Sequence, residues 1–156
     1  MKRFSFHSGS PTETIKFGSR LSKYFLPGTV VALKGGLGSG KTTLIQGMAK
    51  GLGVAKQEVK SPTFVIFHVY NGKFPVYHFD LYRLENPKEL EAIGFDEFVS
   101  DAGAISFIEW ANHAGSNLPD DLLTVHLKDM GESHREFKME AQGVRSQKIL
   151  KAFSKK

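Results

Sequence analysis

The sequence contains no cysteine and no long run of apolar residues. Without cysteine the chain has neither a disulfide framework nor a thiolate metal site. No apolar stretch reaches the roughly 18 residues that a membrane-spanning helix requires. Residues 4–7, which follow the basic start, do not resemble the apolar core of a signal peptide. We therefore expect a cytoplasmic protein with no membrane partner.

Internal repeats, low-complexity tracts and long linkers are also absent, so we expect residues 1–156 to form a single domain. A chain of this length buries a core without covalent staples. The formal net charge of +5 favours anionic partners such as nucleotide or RNA. The lysines close to the C-terminus contribute to that charge, and a solvated tail explains them better than a nucleic-acid arm.

Residues 35–42 match the phosphate-binding loop pattern of Gly, four free positions, Gly, Lys and then Ser or Thr. The glycines let successive backbone N–H groups turn around a polyphosphate. Lys41 supplies a positive charge for the β- and γ-phosphates, and the Thr42 hydroxyl is placed to ligate Mg²⁺. A β-branched apolar run precedes the loop at 29–33, and helical spacing follows at 44–52, so the context is strand, loop and helix.

Two carboxylates are candidates for the metal and water side of such a site. Glu109 follows a predicted buried strand at 104–108, and Asp80 lies in a predicted strand at 74–82. Strand-end carboxylates of parallel sheets face the ligand crevice, which favours Glu109. Alternation places His78 on the same side as Asp80, and we interpret this pair as a hydrogen-bonded polar face. The single tryptophan, Trp110, is equally compatible with a packing role and with a role in the site.

The order of the predicted elements indicates an α/β fold, a P-loop NTPase-like three-layer sandwich with a mixed, mainly parallel central sheet and an added β-hairpin. The remaining predicted strands are an edge strand at 2–6, hairpin arms at 64–70 and 74–82 around Asn71-Gly72, and a pair at 122–128 and 135–141. The predicted helices are one that begins after the cap Ser10, short ones at 87–92 and 94–99, and one at 144–153, with a polar loop at 112–121.

Four segments together resemble the TsaE (YjeE-like) family, the ATPases of tRNA threonylcarbamoyladenosine synthesis. They are residues 35–43, 61–64, 78–84 and 108–110. The phosphate loop alone occurs in many families, but the four segments in this order are specific to this one. The sequence departs from the family at Gly36, where an acidic or polar residue is usual, and at Ser39, which is often Ala. Neither departure removes a phosphate donor.

The resemblance implies a slowly hydrolysing ATPase that binds ATP or ADP with Mg²⁺. It also implies that the protein acts with TsaB and TsaD, the pair that transfers a threonylcarbamoyl group to the adenosine next to the anticodon. The tRNA would be reached indirectly, through that complex.

The resemblance also implies roles for individual residues. Thr42 and Glu109 would bind Mg²⁺, and Lys41, Asp80 and Glu109 would serve catalysis. Residues 61–64 would form a mobile loop that senses the nucleotide. The implied nucleotide contacts are Thr12, Gly38, Ser39, Gly40, Lys41, Thr42, Thr43, Asn112 and Arg135. From the residues alone, Thr12 also fits an exposed first helical turn, and Arg135 also fits an exposed strand.

Two other functions remain open at the level of sequence. The same loop serves small-molecule kinases, although we find no arginine-rich lid segment of the kind that such kinases add. An RNA-binding protein that uses its basic surface, with nucleotide as a structural ligand, is the other alternative.

Overall fold

The computed structural model describes residues 2–55, 59 and 67–155. Its strands are β1 (Lys2–Ser8), β2 (Val30–Lys34), β3 (Phe67–Asn71), β4 (Pro75–Asp80), β5 (Ile105–Glu109), β6 (Leu122–Gly131) and β7 (His134–Gln142). Its helices are α1 (Pro11–Ser22), α2 (Lys41–Gly51), α3 (Lys88–Ala92), α4 (Phe95–Val99), a 3₁₀ helix (Ala111–Asn117) and α5 (Val144–Ser154). Within the described ranges, no helix has the length and apolar character needed to cross a bilayer.

The strands form a seven-stranded sheet in the order β1-β7-β6-β2-β5-β4-β3. Its centre is parallel, because β2 pairs in parallel with both β5 and β6, and β4 pairs in parallel with β5. The outer strands β1, β7 and β3 run antiparallel to their neighbours. The predicted α/β fold with a mixed sheet and an added β3–β4 hairpin is therefore confirmed.

Alternate residues of the central strand β2 face two different layers of the core. Val31 and Leu33 pack in one cluster with apolar residues of α1, α2 and α5. Val30 and Ala32 pack in a second cluster with residues of α3, α4 and the 3₁₀ helix. A strand that is covered on both faces reads as a continuous apolar run, which is why 29–33 was recognisable in the sequence. Helices thus cover both faces of the sheet.

Helix α1 begins as its sequence predicts and packs against α2. Ser10 Oγ accepts a hydrogen bond of 3.1 Å from the Glu13 N–H, and Pro11 occupies the first helical turn. Gly47 of α2 faces the backbone of Ile15, and the next turn repeats the contact four residues later in both helices. The two helices therefore run side by side in the same direction, and both begin at the same end of the molecule.

Two local features differ from the sequence prediction. The region predicted as a polar loop at 112–121 contains most of the 3₁₀ helix from Ala111 to Asn117, which is interrupted by a kink at Gly115. The strand predicted to continue to residue 82 ends at Asp80, because the Asp80 carboxylate accepts a 3.0 Å hydrogen bond from the Tyr82 N–H and closes a local turn. The predicted mobile loop at 61–64 lies outside the described residues.

Candidate active site

The glycine-rich loop connects the carboxyl end of β2 to the first turn of α2. Gly38 and Gly40 have φ angles of 74° and 99°, a region that side chains with a Cβ disfavour. The Lys41 ammonium donates hydrogen bonds to the carbonyls of Gly35, at 2.6 Å, and Gly36, at 2.8 Å. It also lies 3.3 Å from the hydroxyl of buried Ser39. The loop thus folds around its own lysine.

The two candidate carboxylates lie side by side at the ends of neighbouring strands. Asp80 ends β4 and Glu109 ends β5, and the two are paired in the strand register. The hydroxyl of Thr42, the second residue of α2, donates to Glu109 Oε1 at 3.3 Å. The fold therefore brings Lys41, Thr42 and both carboxylates to one edge of the sheet, as the carboxyl ends of parallel strands require.

Burial shifts the pKa values of charged groups at this edge of the sheet. Burial lowers the pKa of the Lys41 ammonium, while the nearby negative charges of Glu109 and Asp80 oppose that change. Burial also raises the pKa of the Asp80 carboxyl, and the negative charge of Glu109 adds to the increase. Perturbed acids and bases that share one cleft are typical of functional sites.

Trp110 contributes an aromatic wall next to the lysine. Its ring centroid lies 4.1 Å from Lys41 Nζ, which is within the range of a cation–π contact. Its backbone is left-handed, with φ of 56°, and its ring packs against Tyr82 at 4.9 Å. An unfavourable backbone conformation at the end of β5 thus coincides with the position that places the indole over Lys41.

The three residues that the family resemblance alone suggested as nucleotide contacts lie in three different elements of the fold. The aliphatic part of Arg135 runs alongside Gly40, since a Cβ on that glycine would lie 3.8 Å from Arg135 Cγ. Thr12 is exposed in the first turn of α1, and Thr43 is half-buried in the first turn of α2. Asn112 is exposed in the 3₁₀ helix, two residues beyond Trp110. Of these three residues, Arg135 is the one that the structure places next to the loop.

Sequence reasoning missed the connection between His78 and Glu109. His78 Nε2 lies 2.6 Å from Glu109 Oε2, and His78 Nδ1 lies 2.8 Å from the Tyr70 hydroxyl. Alternation did place His78 and Asp80 on one side of β4, which was the available signal. The pairing of β4 with β5 supplies the missing information, and it was not predictable from spacing along the chain.

The residues of this edge fit a nucleotide with Mg²⁺. A Cβ on Gly35 would lie 2.6 Å from the Leu127 carbonyl oxygen, so the loop can pass this close to β6 only with glycine there. The oxygen groups at this edge are the Thr42 hydroxyl and the carboxylates of Asp80 and Glu109. Mg²⁺ prefers hard oxygen ligands of this kind. Among the described residues no group of three or more His, Asp or Glu forms a metal cluster. Mg²⁺ needs only one or two carboxylates beside phosphate oxygens and water.

Comparisons with known proteins show the family to which the chain belongs. The sequence model of the family described as "Threonylcarbamoyl adenosine biosynthesis protein TsaE" matches residues 8–137. The tRNA threonylcarbamoyladenosine biosynthesis protein TsaE of Bacillus subtilis is 36% identical over 156 residues, which cover 99% of this chain and 96% of the relative. The protein of the same name from Haemophilus influenzae is 37% identical over 147 residues, 90% of each chain.

A solved structure matches the fold over nearly the whole chain. The crystal structure of Bacillus subtilis YdiB superposes with a TM-score of 0.81 and 31% sequence identity, and the match covers 99% of this chain and 95% of that one. Sequence and fold therefore agree, and the chain belongs to the TsaE family of threonylcarbamoyl adenosine biosynthesis proteins.

Proposed function

We propose that the protein is an Mg²⁺-dependent ATP-binding and ATP-hydrolysing subunit that supports threonylcarbamoylation of tRNA. The observation that carries the proposal is the buried ammonium of Lys41, held in a glycine loop and facing two carboxylates at adjacent strand ends. A buried cation is costly unless an opposite charge compensates it. The two carboxylates offset this cost only in part, because the pKa of Lys41 remains lowered in their presence. A triphosphate that enters the loop adds further negative charge beside the ammonium.

The loop and the first turn of α2 would bind the phosphates. Lys41 exchanges its bonds to the Gly35 and Gly36 carbonyls for bonds to β- and γ-phosphate oxygens. The backbone N–H groups of the loop add uncharged hydrogen-bond donors. The partial positive charge at the start of α2 also favours a bound anion. The nucleotide contacts in this proposal are Thr12, Gly38, Ser39, Gly40, Lys41, Thr42, Thr43, Asn112 and Arg135.

The two carboxylates would have different roles, one in binding Mg²⁺ and the other in orienting the attacking water. Both oxygens of Glu109 are engaged, one by Thr42 and the other by His78, so Glu109 is fixed next to the hydroxyl that would bind Mg²⁺. When bound, Mg²⁺ neutralises charge that develops on the phosphate oxygens. Asp80 is more exposed than Glu109, which supports a role in orienting the attacking water.

The family supplies the biological setting. Its relatives are named as tRNA threonylcarbamoyladenosine biosynthesis proteins. We propose that this protein acts on the TsaB–TsaD complex in the cytoplasm and reaches tRNA only through that complex. Hydrolysis at the edge that contains Lys41 would then change how the protein contacts TsaB and TsaD.

The test is ATP turnover by the purified protein, alone and with TsaB and TsaD, with release of free phosphate as the readout. Lys41→Ala should abolish nucleotide binding, because the loop loses its one ammonium. Glu109→Ala should still bind ATP but hydrolyse it about 100-fold more slowly, a typical cost of removing a charge-stabilising group. Lys50→Ala, an exposed lysine at the other end of α2, is the control. Equal turnover by wild type and both site variants would contradict the proposal, and transfer of phosphate to an added acceptor would favour a kinase.

A further inference from the structure

A chain of hydrogen bonds runs from the hairpin to the first turn of α2 through four elements. The Tyr70 hydroxyl of β3 lies 2.8 Å from His78 Nδ1 of β4. His78 Nε2 lies 2.6 Å from Glu109 Oε2 of β5, and Glu109 Oε1 accepts from Thr42 of α2 at 3.3 Å. The imidazole of His78 is completely buried, and Tyr70 and Glu109 are each 3% exposed. These three side chains are therefore largely shielded from water.

For an ionised carboxylate and a neutral imidazole, the chemistry of the groups sets the direction of each bond. A carboxylate only accepts hydrogen bonds, so the proton between His78 and Glu109 belongs to Nε2. In a neutral imidazole the other nitrogen is then an acceptor, and the Tyr70 hydroxyl is its donor. Tyr70 thus selects the ring tautomer that presents a donor to Glu109.

We infer that His78 is a positioning residue for Glu109, held in its Nε2–H tautomer by Tyr70. This inference rests on the proposed function, in which Glu109 binds Mg²⁺ beside Thr42. With Oε2 anchored by the imidazole, the carboxylate cannot rotate freely, and Oε1 stays directed towards the start of α2. Partners that orient a metal-binding side chain in this way typically change affinity or activity by 10–100-fold.

A positioning role differs from a purely structural role in what each substitution does. His78→Leu fills a similar volume but removes the donor, whereas the amide nitrogen of Gln lies about as far from the backbone as Nε2 does. We expect His78→Leu to lower kcat by 10–100-fold with KM for ATP within about threefold of wild type. We expect His78→Gln to keep kcat within about fivefold of wild type. His126→Leu, on the half-exposed side of β6, is the matched control for loss of a histidine.

The kinetic outcomes separate the two proposals. Wild-type kcat in His78→Leu, or an equal loss in His78→Leu and His78→Gln when both are folded by circular dichroism, would overturn the positioning role. Wild-type protein that hydrolyses no ATP, even with TsaB and TsaD present, would instead contradict the proposed function.

A spectroscopic test does not depend on activity, and its main readout uses the wild-type protein. Long-range ¹H–¹⁵N correlation spectra of the wild-type protein without nucleotide or metal, at pH 8, where an ordinary imidazole is neutral, report the tautomer of each histidine. We expect one buried ring in the Nε2–H form, and we expect Tyr70→Phe to shift its Nδ1 resonance. An Nδ1–H form, or an exchanging mixture of tautomers for this ring, would overturn the inference.

Discussion

Helices α2 and α5 both begin after a glycine with positive φ, yet their first turns have different surroundings. Gly40 precedes α2 with φ of 99°, and Gly143 precedes α5 with φ of 92°. Glycine offers no side chain to accept from the unpaired N–H groups of a first helical turn. Each helix therefore needs an acceptor from elsewhere.

Helix α5 finds its acceptor within the chain. The Asp121 carboxylate, which precedes β6, accepts hydrogen bonds from the N–H groups of Arg145, at 2.8 Å, and Ser146, at 3.0 Å. It also accepts from the Ser146 hydroxyl at 2.6 Å. The carboxylate complements the positive end of the helix dipole.

The first turn of α2 lies at the opposite ends of the strands from the first turn of α5. It has a cation where α5 has the Asp121 carboxylate. Among the described residues, no carboxylate accepts from the N–H groups of its first turn, and Glu109 contacts this turn through the Thr42 hydroxyl rather than through a backbone N–H. Lys41 adds a buried positive charge beside these groups. An anion complements the first turn of each helix. At α5 this anion is the Asp121 carboxylate, whereas at α2 we propose that the nucleotide supplies it.

The largest expected effect comes from placing a carboxylate in the α2 loop. Gly38→Asp adds an anion where nothing lies within 4 Å of the new Cβ, and Asp tolerates positive φ better than most residues. The added charge would repel the phosphates, so we expect ATP to bind at least about 100-fold more weakly. The measurement is the Kd for Mg-ATP by calorimetry. The neutral isostere Gly38→Asn is the control, and equal affinity in both variants would show that the loop does not hold the phosphates.

Removing the Asp121 carboxylate at the start of α5 should have a smaller effect, and it should lower the free energy of unfolding rather than the affinity for ATP. Asp121→Ala deprives the first turn of α5 of three hydrogen bonds, and losing such a cap costs about 1–2 kcal/mol of unfolding free energy. Chemical denaturation measures this loss, and the Kd for Mg-ATP should stay within about twofold, since the two edges are far apart. Exposed Asp120→Ala is the control. Weakened ATP binding in Asp121→Ala would contradict the separation of the two edges.

At the edge of the sheet that contains Lys41, by contrast, removing a charge should stabilise the metal-free protein. Burial raises the pKa of Asp80 above its usual range, and its Oδ1 contact with the Tyr82 N–H survives in Asp80→Asn. We expect a gain of about 1 kcal/mol in unfolding free energy together with loss of turnover.

The pH dependence of this gain has a definite sign. The wild type loses stability as pH rises from the unfolded pKa, about 3.9, to the higher folded value, because the folded state holds its proton longer. Asn has no such loss, so the difference should vanish below about pH 4 and be largest above the folded pKa. Denaturation with a chelator present checks this, using exposed Asp96→Asn as the control. A destabilised Asp80→Asn at neutral pH would contradict the assigned burial cost.

The smallest effect concerns the exposed pair of Arg135 and Asp129. The guanidinium Nη1 lies 2.9 Å from Asp129 Oδ1, and exposed pairs contribute about 0–1 kcal/mol. Asp129→Asn should free Arg135 for the phosphates and tighten Mg-ATP binding by at most about fivefold. In an Arg135→Ala background the same change should have no effect, as a double-mutant cycle would show. Tightening that persists without Arg135 would exclude this role for the arginine.

Local sequence signals predicted the parts of the fold that depend on neighbours along the chain. The Ser10 cap, the loop at 35–42 and the apolar run at 29–33 all specify their structures within a few residues. Glu109 was identifiable for the same reason, because it directly follows a buried strand.

The parts that depend on strand order were not predictable. The pairing of β4 with β5 places Asp80 and His78 beside Glu109, and no local pattern encodes that pairing. The contact between Trp110 and Lys41 needs a left-handed turn at a tryptophan, which its sequence does not favour. The Asn112 region was predicted as a loop because its polar composition hides a short 3₁₀ helix.

The most direct test of the central claim is equilibrium dialysis of the wild-type protein and Lys41→Ala against labelled ATP with Mg²⁺. If the start of α2 is built to receive an external anion, wild type should retain one nucleotide per chain at saturation, and Lys41→Ala should retain almost none. Equal retention by the two proteins, or none by the folded wild type, would contradict the claim.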